Sequence, residues 1–532
     1  MLTGIAIKNY RAFRDFELDF DPSMNILVGD NDAGKSTILE AISLALTGRL
    51  RGRLIAQELS PFMFHQRAVR EYLEALQSGT GDARPPEIII DLFLEDTPAS
   101  AALKGTNNLK KADEPGVRIR AYLNSDFAAE YAEFIKDPDQ VRLIPTEYYR
   151  VDWLGFSGNG ITFKSVPATA SLIDASNIQL QNGVDYYLSN IISQNLDPSQ
   201  RVGLTRAYRD LREQFGNNGA IQKINEGLRG APRDVSDREL TLGIDLSHKA
   251  SWESSLVPHL DDLPYQYVGK GEQSTLKILL ALNKRVADAH IVLVEEPENH
   301  LSFPKLGKLV KKISDKCVGK QVFITTHSSF VLNKLGLENL VLLSTEGGFR
   351  MSSLPASTQD YFRKLSGYDT LRVVLAPRSI LVEGPSDELV IQRAYLDVHG
   401  ALPAEDGVDV INVRGLSFKR FLDIAALLPR NQVAVVTDND GNDASVVRAR
   451  YAAYTGLPNV KVCVGEDKGF KTLEPQLLKA NGRDKLNEVL GTSFNDDDDL
   501  LKHMEGHKTT VALAIFEGDR ITMPGYISDA VA

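Results

Sequence analysis

The sequence predicts an α/β protein in which a P-loop ATPase head, interrupted by a helical insertion, is followed by a doubly wound domain with a parallel sheet. The Gly-rich run GDNDAGKST at residues 29–37 lies between an apolar strand pattern and an apolar-periodic helix pattern. A second apolar run, at residues 291–294, ends in paired carboxylates, and strand and helix patterns alternate after residue 376. Such alternation is typical of parallel sheets covered by helices.

The length and composition are those of an ordinary globular protein. The 532 residues suffice for two to four domains, and 43% hydrophobic with 25% charged residues is a normal balance. No apolar run reaches the 18 or so residues of a membrane helix, and residues 1–20 lack a signal-peptide core. Cys317 and Cys463 are the only cysteines, which excludes a disulfide framework. We therefore predict a cytoplasmic protein with no membrane partner.

The charge distribution leaves the question of a nucleic-acid partner open. A formal net charge of −11 argues by itself against a nucleic-acid binder, but a nucleic acid meets a local patch rather than an average. Residues 49–53 contain three arginines, and residues 305–320 contain six lysines at roughly helical spacing. The lysines fit either a solvated helix face or a contact with DNA.

The run at residues 29–37 has the G-x-x-x-x-G-K-S spacing of a P-loop. Its glycines let backbone N–H groups curl around phosphate oxygens, and the following helix adds its N-terminal dipole. Lys35 is predicted to reach the β- and γ-phosphates, and the Ser36 hydroxyl is predicted to bind Mg²⁺. The nucleotide-binding candidates in this loop are Asn31, Gly34, Lys35, Ser36 and Thr37.

The carboxylates that follow the second apolar run form a Walker B pattern. A buried strand would bring Glu295 to the magnesium ion and Glu296 to the attacking water. Adjacent buried acids are costly without a cation, so this pattern also predicts a metal. A strand at residues 321–325 then leads to His327. This part of the chain resembles ABC-type heads, and that resemblance implies that His327 contacts the γ-phosphate.

Other patterns outline the rest of the head. We predict strands at residues 2–10, 16–20, 88–94 and 117–124, the last two in a sheet with one wet face. Residues 171–245 carry apolar positions at helical spacing and predict the helical insertion, with dimerisation as its favoured role. A Gly-rich turn at residues 267–274 precedes a predicted helix from Thr275 to Leu282, and residues 345–378 are predicted to be a transition without a core of its own.

Carboxylates in the C-terminal domain fall where two predicted strands end. Strand 379–382 leads into Glu383 and Asp387, and strand 432–437 leads into Asp438 and Asp440. In parallel sheets, sites form at the carboxyl ends of strands. Hard carboxylate oxygens with no accompanying His or Cys favour Mg²⁺ or Mn²⁺ over zinc.

These motifs, taken in order, resemble known families. The order of strand, NYRAF, strand and P-loop is similar to ATP-binding-cassette heads of the SMC kind, and the turn around Gly271 resembles a degenerate ABC signature, which in that superfamily binds ATP held by the opposite subunit. The E-G-x-S-D and D-x-D motifs resemble those of Toprim domains. The whole chain resembles the OLD (overcoming lysogenization defect) family of nucleases. This division predicts head halves at 1–170 and 246–375, the insertion at 171–245 and a Toprim domain at 376–532.

The resemblance implies roles for individual residues. Glu383 with Asp387, Asp438 with Asp440, and Glu474 in Thr-Leu-Glu would hold two metal ions. Lys508, in what is predicted to be the final helix, would be the catalytic lysine, although Lys502 lies six residues away on the same segment. The chain departs from the family at residues 301–304 (LSFP), where a second histidine is expected.

The resemblance implies an ATP-binding, metal-dependent DNA endonuclease or nickase that acts in defence against phage or foreign DNA. Its expected cofactors are ATP and Mg²⁺, with Mn²⁺ as an alternative at the Toprim site. Its expected partners are DNA, a second copy of the chain and a further defence protein. Two alternatives stay open: a DNA-tethering or signalling ATPase whose Toprim domain does not cut, and a primase-like or topoisomerase-like enzyme.

Overall fold

The computed structural model describes residues 1–50, 52–79, 83–138, 141–174, 180–181, 184–185, 196–229, 242, 259–282, 289–345, 347–351, 353–365, 369–415 and 418–532. Within these ranges no helix has both the length and the apolar character needed to span a membrane.

The strands of the head fall into two large sheets and several two-residue ladders. In chain order they are β1 Leu2–Tyr10, β2 Phe13–Asp19, β3 Met24–Val28, β4 Arg49–Leu50, β5 Arg53–Leu54, β6 Ile88–Leu94, β7 Lys104–Gly105, β8 Glu114–Leu123, β9 Tyr149–Gly155, β10 Ala170–Asp174, β11 Leu180–Gln181, β12 Val184–Asp185, β13 His259–Leu260, β14 Leu263–Pro264, β15 Ile291–Glu295, β16 Gln321–Thr325, β17 Leu340–Ser344 and β18 Gly347–Arg350.

The α-helices described before the C-terminal domain pack mainly around these sheets. They are α1 Lys35–Thr47, α2 Ile55–Glu58, α3 Gln66–Ser78, α4 Ala128–Phe134, α5 Pro198–Gly216, α6 Gly219–Arg229, α7 Lys270–Leu280, α8 Phe303–Lys316, α9 Ser329–Leu335, α10 Ala356–Lys364 and α11 Thr370–Leu375.

The central sheet of the head carries the nucleotide motifs. Its order is β10-β15-β16-β3-β17-β18, and all neighbours are parallel except β17 and β18. Successive side chains of its strands enter different cores: Leu27 packs with α1, whereas Ile26 and Val28 pack on the opposite face. Both faces are therefore buried, which explains the continuous apolar runs in the sequence.

The second sheet is antiparallel, in the order β2-β1-β6-β8-β7 with β9 against β8. The prediction of one wet face is wrong for β6, because all seven of its residues are buried. Asp91, in the middle of that strand, is fully buried, and its Oδ1 lies 2.6 Å from Arg118 Nε. This ion pair allows an acidic residue to occupy a covered face.

The predicted insertion begins later than residue 171. Residues 170–174 form β10, in register with β15 from Ala170 opposite Ile291 to Asp174 opposite Glu295. A short apolar run fits a helix or a buried strand equally well, and here pairing with the central sheet decides in favour of the strand. Helices α5 and α6 agree with the predicted insertion. Apart from the short strand pair β11–β12, a few residues next to these helices and residue 242, the rest of the insertion lies outside the described residues.

Two further expectations about the head need correction. Helix α7 begins at Lys270 rather than at Thr275, so Gly271 lies in its first turn. Residues 345–378 are not a mere transition, because they contain α10 and α11, and Phe362 of α10 is fully buried.

The C-terminal domain is a four-stranded, all-parallel sheet in the order β20-β19-β21-β22, covered by helices on both faces. Its strands are β19 Arg378–Val382, β20 Val408–Asn412, β21 Gln432–Thr437 and β22 Val460–Val464. Its helices are α12 Pro385–His399, α13 Phe418–Ala426, α14 Ala444–Ala449, α15 Leu473–Leu490, α16 Asp497–Gly506, α17 Lys508–Glu517 and α18 Gly525–Val531. The predicted doubly wound architecture is confirmed, but Lys508 begins α17 and is not in the final helix.

The two domains share one apolar core. Phe362 of α10 packs edge-on against Phe421 of α13, with ring centroids 5.3 Å apart. The same core includes Val292 of the central sheet of the head and Leu381 of the C-terminal sheet. The helices between the two sheets therefore fasten the domains together.

Candidate functional site

The loop from Gly29 to Gly34 connects β3 to α1. Gly34 has φ of +89°, and a Cβ placed there would lie 2.3 Å from Cζ of Phe13. Any other residue would meet both backbone strain and a collision, so the glycine is required on two grounds. Asp32, also in the loop, has a positive φ of 66°.

Lys35 is buried beneath this loop. Its Nζ donates hydrogen bonds to the carbonyl oxygens of Gly29 at 2.9 Å and Asp30 at 2.8 Å. Burial lowers the pKa of Lys35, and the charge of Glu296 works against that shift. The ammonium group is thus placed between the loop and the Walker B carboxylate. Asn31 and Ser36 are exposed beside it, and Thr37 is half-buried.

The Walker B residues lie at the carboxyl end of β15, two strands from β3 in the central sheet. Glu295 ends the strand opposite Thr325 of β16. Glu296 follows with a positive φ of 41°, and its Oε2 accepts a hydrogen bond from Asn299 Nδ2 at 2.6 Å. Its Oε1 lies 3.7 Å from Nε2 of His327. The structure therefore brings together Lys35, Glu296 and His327, as the sequence predicted.

Gly271 contacts this site through the loop after β15. A Cβ on Gly271 would lie 2.1 Å from the carbonyl oxygen of His300, which is closer than any side chain can approach. The start of α7 therefore packs directly on the segment that carries Glu296. Only a glycine permits that contact.

Glu298 is a residue of this site that the sequence reasoning missed. Its Oε1 accepts hydrogen bonds from Thr326 Oγ1 at 2.8 Å and from the backbone N–H of His327 at 2.6 Å. Its Oε2 is buried and has no hydrogen-bond partner among the residues that the structure describes, and burial raises the pKa of Glu298. The signal in the sequence was a third acid within four residues, in the run EEPE at 295–298.

A second cluster lies at the carboxyl ends of β19 and β21. Oε1 of Glu383 accepts hydrogen bonds from Thr437 Oγ1 at 2.6 Å and from the backbone N–H of Asp438 at 3.1 Å. Oδ2 of Asp387 accepts a hydrogen bond from the backbone N–H of Gly384 at 3.0 Å. Adjacent parallel strands thus bring their terminal acids to one edge of the sheet, as predicted.

Burial and mutual repulsion act on these acids. Burial, followed by the charges of Asp387 and Glu383, raises the pKa of Asp438 to about 8. Burial and the charge of Glu383 raise the pKa of Asp387 to about 6. Neighbouring acids in a buried site oppose one another's ionisation.

Glu474 and Lys508 complete this cluster. Glu474 is almost fully buried, and its Oε2 lies 3.0 Å from Thr472 Oγ1 and 3.2 Å from Lys508 Nζ. Burial is the largest single influence and lowers the pKa of Lys508, but the charge and hydrogen bond of Glu474 together with the charges of Asp438 and Asp387 outweigh it, and the net shift is upward. Lys502, the other candidate, is exposed and pairs with Asp499 at 3.4 Å.

Asp440 lies apart from the buried acids. Its side chain is largely exposed and lies 3.9 Å from Arg450. Its φ of +51° and the φ of +78° at Gly441 form a tight turn after Asp438. The structure gives Asp440 no contact with Glu383, Asp387 or Glu474 among the hydrogen bonds of the described residues, so its role as a ligand stays a prediction.

Two more residues shape this cluster and were not singled out from the sequence. Asn439 is fully buried, and its Nδ2 lies within hydrogen-bond distance of three carbonyl oxygens in the 465–470 segment. Tyr526 is also buried, and burial, followed by the charges of Asp438 and Asp387, raises its pKa well above the ordinary value. Asn439 is the unspecified position of the D-x-D motif and Tyr526 lies in none of the motifs, so motif spacing alone could not reveal them.

The donor chemistry of the cluster fits a hard divalent cation. Glu383, Asp387, Asp438 and Glu474 offer carboxylate oxygens, the ligands that Mg²⁺ and Mn²⁺ prefer. The repulsion that raises the pKa of Asp438 is the kind of strain that a cation relieves. The distances between the carboxylates do not form a complete metal site: among the described residues, no three His, Cys, Asp or Glu side chains are arranged to hold one ion.

Comparison with known proteins finds matches to both the N-terminal and the C-terminal parts of the chain. An AAA domain family matches residues 5–140, and the family described as "Overcoming lysogenization defect protein-like, TOPRIM domain" matches residues 374–440. "Endonuclease GajA" of Bacillus cereus (strain VD045) is 21% identical over 462 residues, which is 82% of this chain and 75% of that protein. "ATP/GTP phosphatase" of Helicobacter pylori (strain ATCC 700392 / 26695) is 24% identical over 351 residues, or 62% of this chain and 85% of that protein.

A solved structure, the C-terminal region of the Burkholderia pseudomallei OLD protein, is 21% identical and covers 30% of this chain and 96% of its own, with a TM-score of 0.25. The sequence matches, together with the order of the two sites along the chain, support an ATPase–Toprim architecture similar to that of the OLD family.

Proposed function

We propose that the protein is an ATP-modulated, divalent-metal-dependent DNA endonuclease or nickase. The observation that carries this proposal is the buried cluster of Glu383, Asp387, Asp438 and Glu474 beside Lys508, at the carboxyl edge of a Toprim sheet. The relative named "Endonuclease GajA" covers most of the chain and supports the same activity.

The acids of the cluster would hold the metal, and Lys508 would balance negative charge on the phosphate that is cut. A divalent cation would supply Lewis-acid activation of water and stabilise the leaving oxygen. The hydrogen bonds from Thr437 and the backbone of Asp438 fix the orientation of Glu383. Thr472 and Lys508 do the same for Glu474.

The head would bind and hydrolyse ATP. Lys35 and Ser36 would bind the phosphates and their Mg²⁺, and Glu296 would activate the attacking water. His327, within contact of Glu296, would reach the γ-phosphate. The shared core between the domains supports a gating role for ATP, since Phe362 packs between the helices of the head and those of the Toprim domain.

One alternative function has an observation in its favour. The described acids do not form a closed set of three ligands, which fits a DNA-tethering or signalling ATPase whose Toprim domain does not cut. A topoisomerase-like enzyme, the other alternative, needs a nucleophilic tyrosine on a separate domain, and the sequence motifs single none out.

A plasmid assay tests the proposal. Supercoiled DNA is incubated with the protein and Mg²⁺ or Mn²⁺, with and without ATP, and nicked and linear forms are counted. We expect cleavage that EDTA abolishes. DNA binding and ATP hydrolysis without any cleavage would favour the tethering ATPase, and a covalent protein–DNA adduct would favour a topoisomerase. Protection of host cells in a plaque assay tests the proposed role in defence.

A further inference from the structure

We infer that Glu298 is a positioning residue for ATP hydrolysis: it fixes the turn that carries His327, so that this histidine faces Glu296. The inference rests on the proposed ATPase activity of the head and adds to it a residue that is placed to act through its neighbours.

The first step is the anchoring of the turn. One carboxylate oxygen, Oε1 of Glu298, accepts both the hydroxyl of Thr326 at 2.8 Å and the backbone N–H of His327 at 2.6 Å. Thr326 Oγ1 in turn accepts the backbone N–H of Ser328 at 3.0 Å. Oε1 of Glu298 therefore holds Thr326 and His327 directly, and it holds Ser328 through the hydroxyl of Thr326.

The second step is the position of the histidine ring. The turn follows β16, and its backbone is already tied to the Walker B segment, because Glu296 N–H donates to the carbonyl oxygen of Thr325 at 3.0 Å. With its N–H held by Glu298, His327 extends its Nε2 to within 3.7 Å of Oε1 of Glu296. Glu296 itself is steadied on the other side by Asn299 Nδ2 at 2.6 Å.

The third step is the reason for a carboxylate at this place. Thr326 is fully buried, so its hydroxyl needs an acceptor, and leaving it without one is costly. Glu298 supplies that acceptor from the loop that also carries Glu296, so the two halves of the hydrolytic site are joined by a side chain and not only by strand pairing. A short side chain at 298 would leave the turn free to move away from Glu296.

The test is a double-mutant cycle on the steady-state ATPase of the full chain. We expect Glu298→Ala to lower kcat at least about tenfold while KM changes less than about threefold, because nucleotide binding depends on the P-loop and not on this turn. We expect the variant that combines Glu298→Ala with His327→Ala to be no slower than His327→Ala alone, since residues that act as one unit are not additive.

Glu298→Gln is the conservative variant. Its amide oxygen still accepts from Thr326 and His327, so we expect kcat within about threefold of the wild-type value. Glu74→Ala, at an exposed position on α3, is the matched control and should leave kcat unchanged. Retained ATP affinity in Glu298→Ala shows that the head is folded.

Three results would overturn the inference: full activity of Glu298→Ala, losses that multiply in the double variant, or a Glu298→Gln variant as slow as Glu298→Ala. The last would mean that the charge of Glu298, and not its two hydrogen bonds, is what matters. A wild-type chain without ATPase activity would overturn the ATPase assignment together with the inference. An active wild type with an unimpaired Glu298→Ala variant overturns the inference alone.

Discussion

Lys35 and Glu296 occupy one site but are expected to act at different stages. The ammonium group of Lys35 lies inside the P-loop, bonded to two of its carbonyl oxygens, and Glu296 lies across from it at the end of β15. We expect an ammonium in that place to bind phosphate and a carboxylate beside His327 to orient or activate water. Binding and hydrolysis should therefore separate by mutation.

We expect Lys35→Ala to weaken ATP binding at least tenfold, because the P-loop loses its cation. We expect Glu296→Gln to bind ATP as the wild type does and to hydrolyse it at less than a hundredth of the rate, because only the base is lost. Equilibrium binding of a fluorescent ATP analogue and phosphate release measure the two effects. Hydrolysis by Glu296→Gln at the wild-type rate would show that the Walker B assignment is wrong.

At the level of elements, the sequence could predict what local patterns determine. Residues 88–94 and 432–437 carry continuous apolar or alternating runs, and each forms the predicted strand. The carboxylates of Glu383 and Asp438 follow such strands, and parallel pairing brings them to one edge. The P-loop was predictable in the same way, because the local backbone conformation, such as the positive φ at Gly34, requires glycine.

Contacts between residues that are distant along the chain determine the features that the sequence could not predict. Residues 170–174 are a strand because β15 lies alongside them, and no local pattern reports that neighbour. The charged residue Asp91 led to the prediction that one face of this sheet is exposed to solvent. Its ion pair with Arg118 allows that face to be buried, and no local pattern reveals this partner. The roles of Glu298 and Asn439 could not be predicted, because they depend on segments 26 residues or more away along the chain.

Asn439 shows how one side chain holds two elements together. Its Nδ2 donates hydrogen bonds to the carbonyl oxygens of Gly465, Asp467 and Phe470. Its Oδ1 accepts a hydrogen bond from the backbone N–H of Gly441 at 2.8 Å. We expect Asn439→Ala to destabilise the Toprim domain by about 3 kcal/mol, since buried carbonyl groups lose their donor. Calorimetry should show a lower melting temperature for that domain, and DNA cleavage should fall with it.

Asn159→Ala, which replaces an exposed asparagine in the head, is the control and should leave the melting temperature and DNA cleavage unchanged. A melting profile of Asn439→Ala that overlays the wild-type profile would contradict the proposed connection between the Asp438 turn and the 465–470 segment.

At the level of the whole molecule, a second copy of the chain is expected to complete the ATP site. Leu211 and Phe215 lie four residues apart on α5 of the insertion, and both side chains are more than half exposed. Exposed apolar residues one helical turn apart are typical of a contact surface. We therefore place the proposed dimer contact at Leu211 and Phe215 of α5.

We expect replacement of both Leu211 and Phe215 by Asp to convert the oligomer into a monomer, because two charges would have to be buried in the contact. Multi-angle light scattering measures the change. Val318→Asp, at an exposed apolar position after α8, is the matched control. A double variant with the mass of the wild-type oligomer would show that α5 is not the contact.

The central claim is that the Toprim acids cut DNA while a separate site hydrolyses ATP. Plasmid nicking by the variant in which Glu383, Asp438 and Asp440 are all replaced by Ala tests it most directly, with Asp484→Ala, a highly exposed acid of the same domain, as control. We predict that the triple variant cleaves no DNA even in excess Mn²⁺, yet hydrolyses ATP at the wild-type rate. Nicking by the triple variant at the wild-type rate would contradict the account.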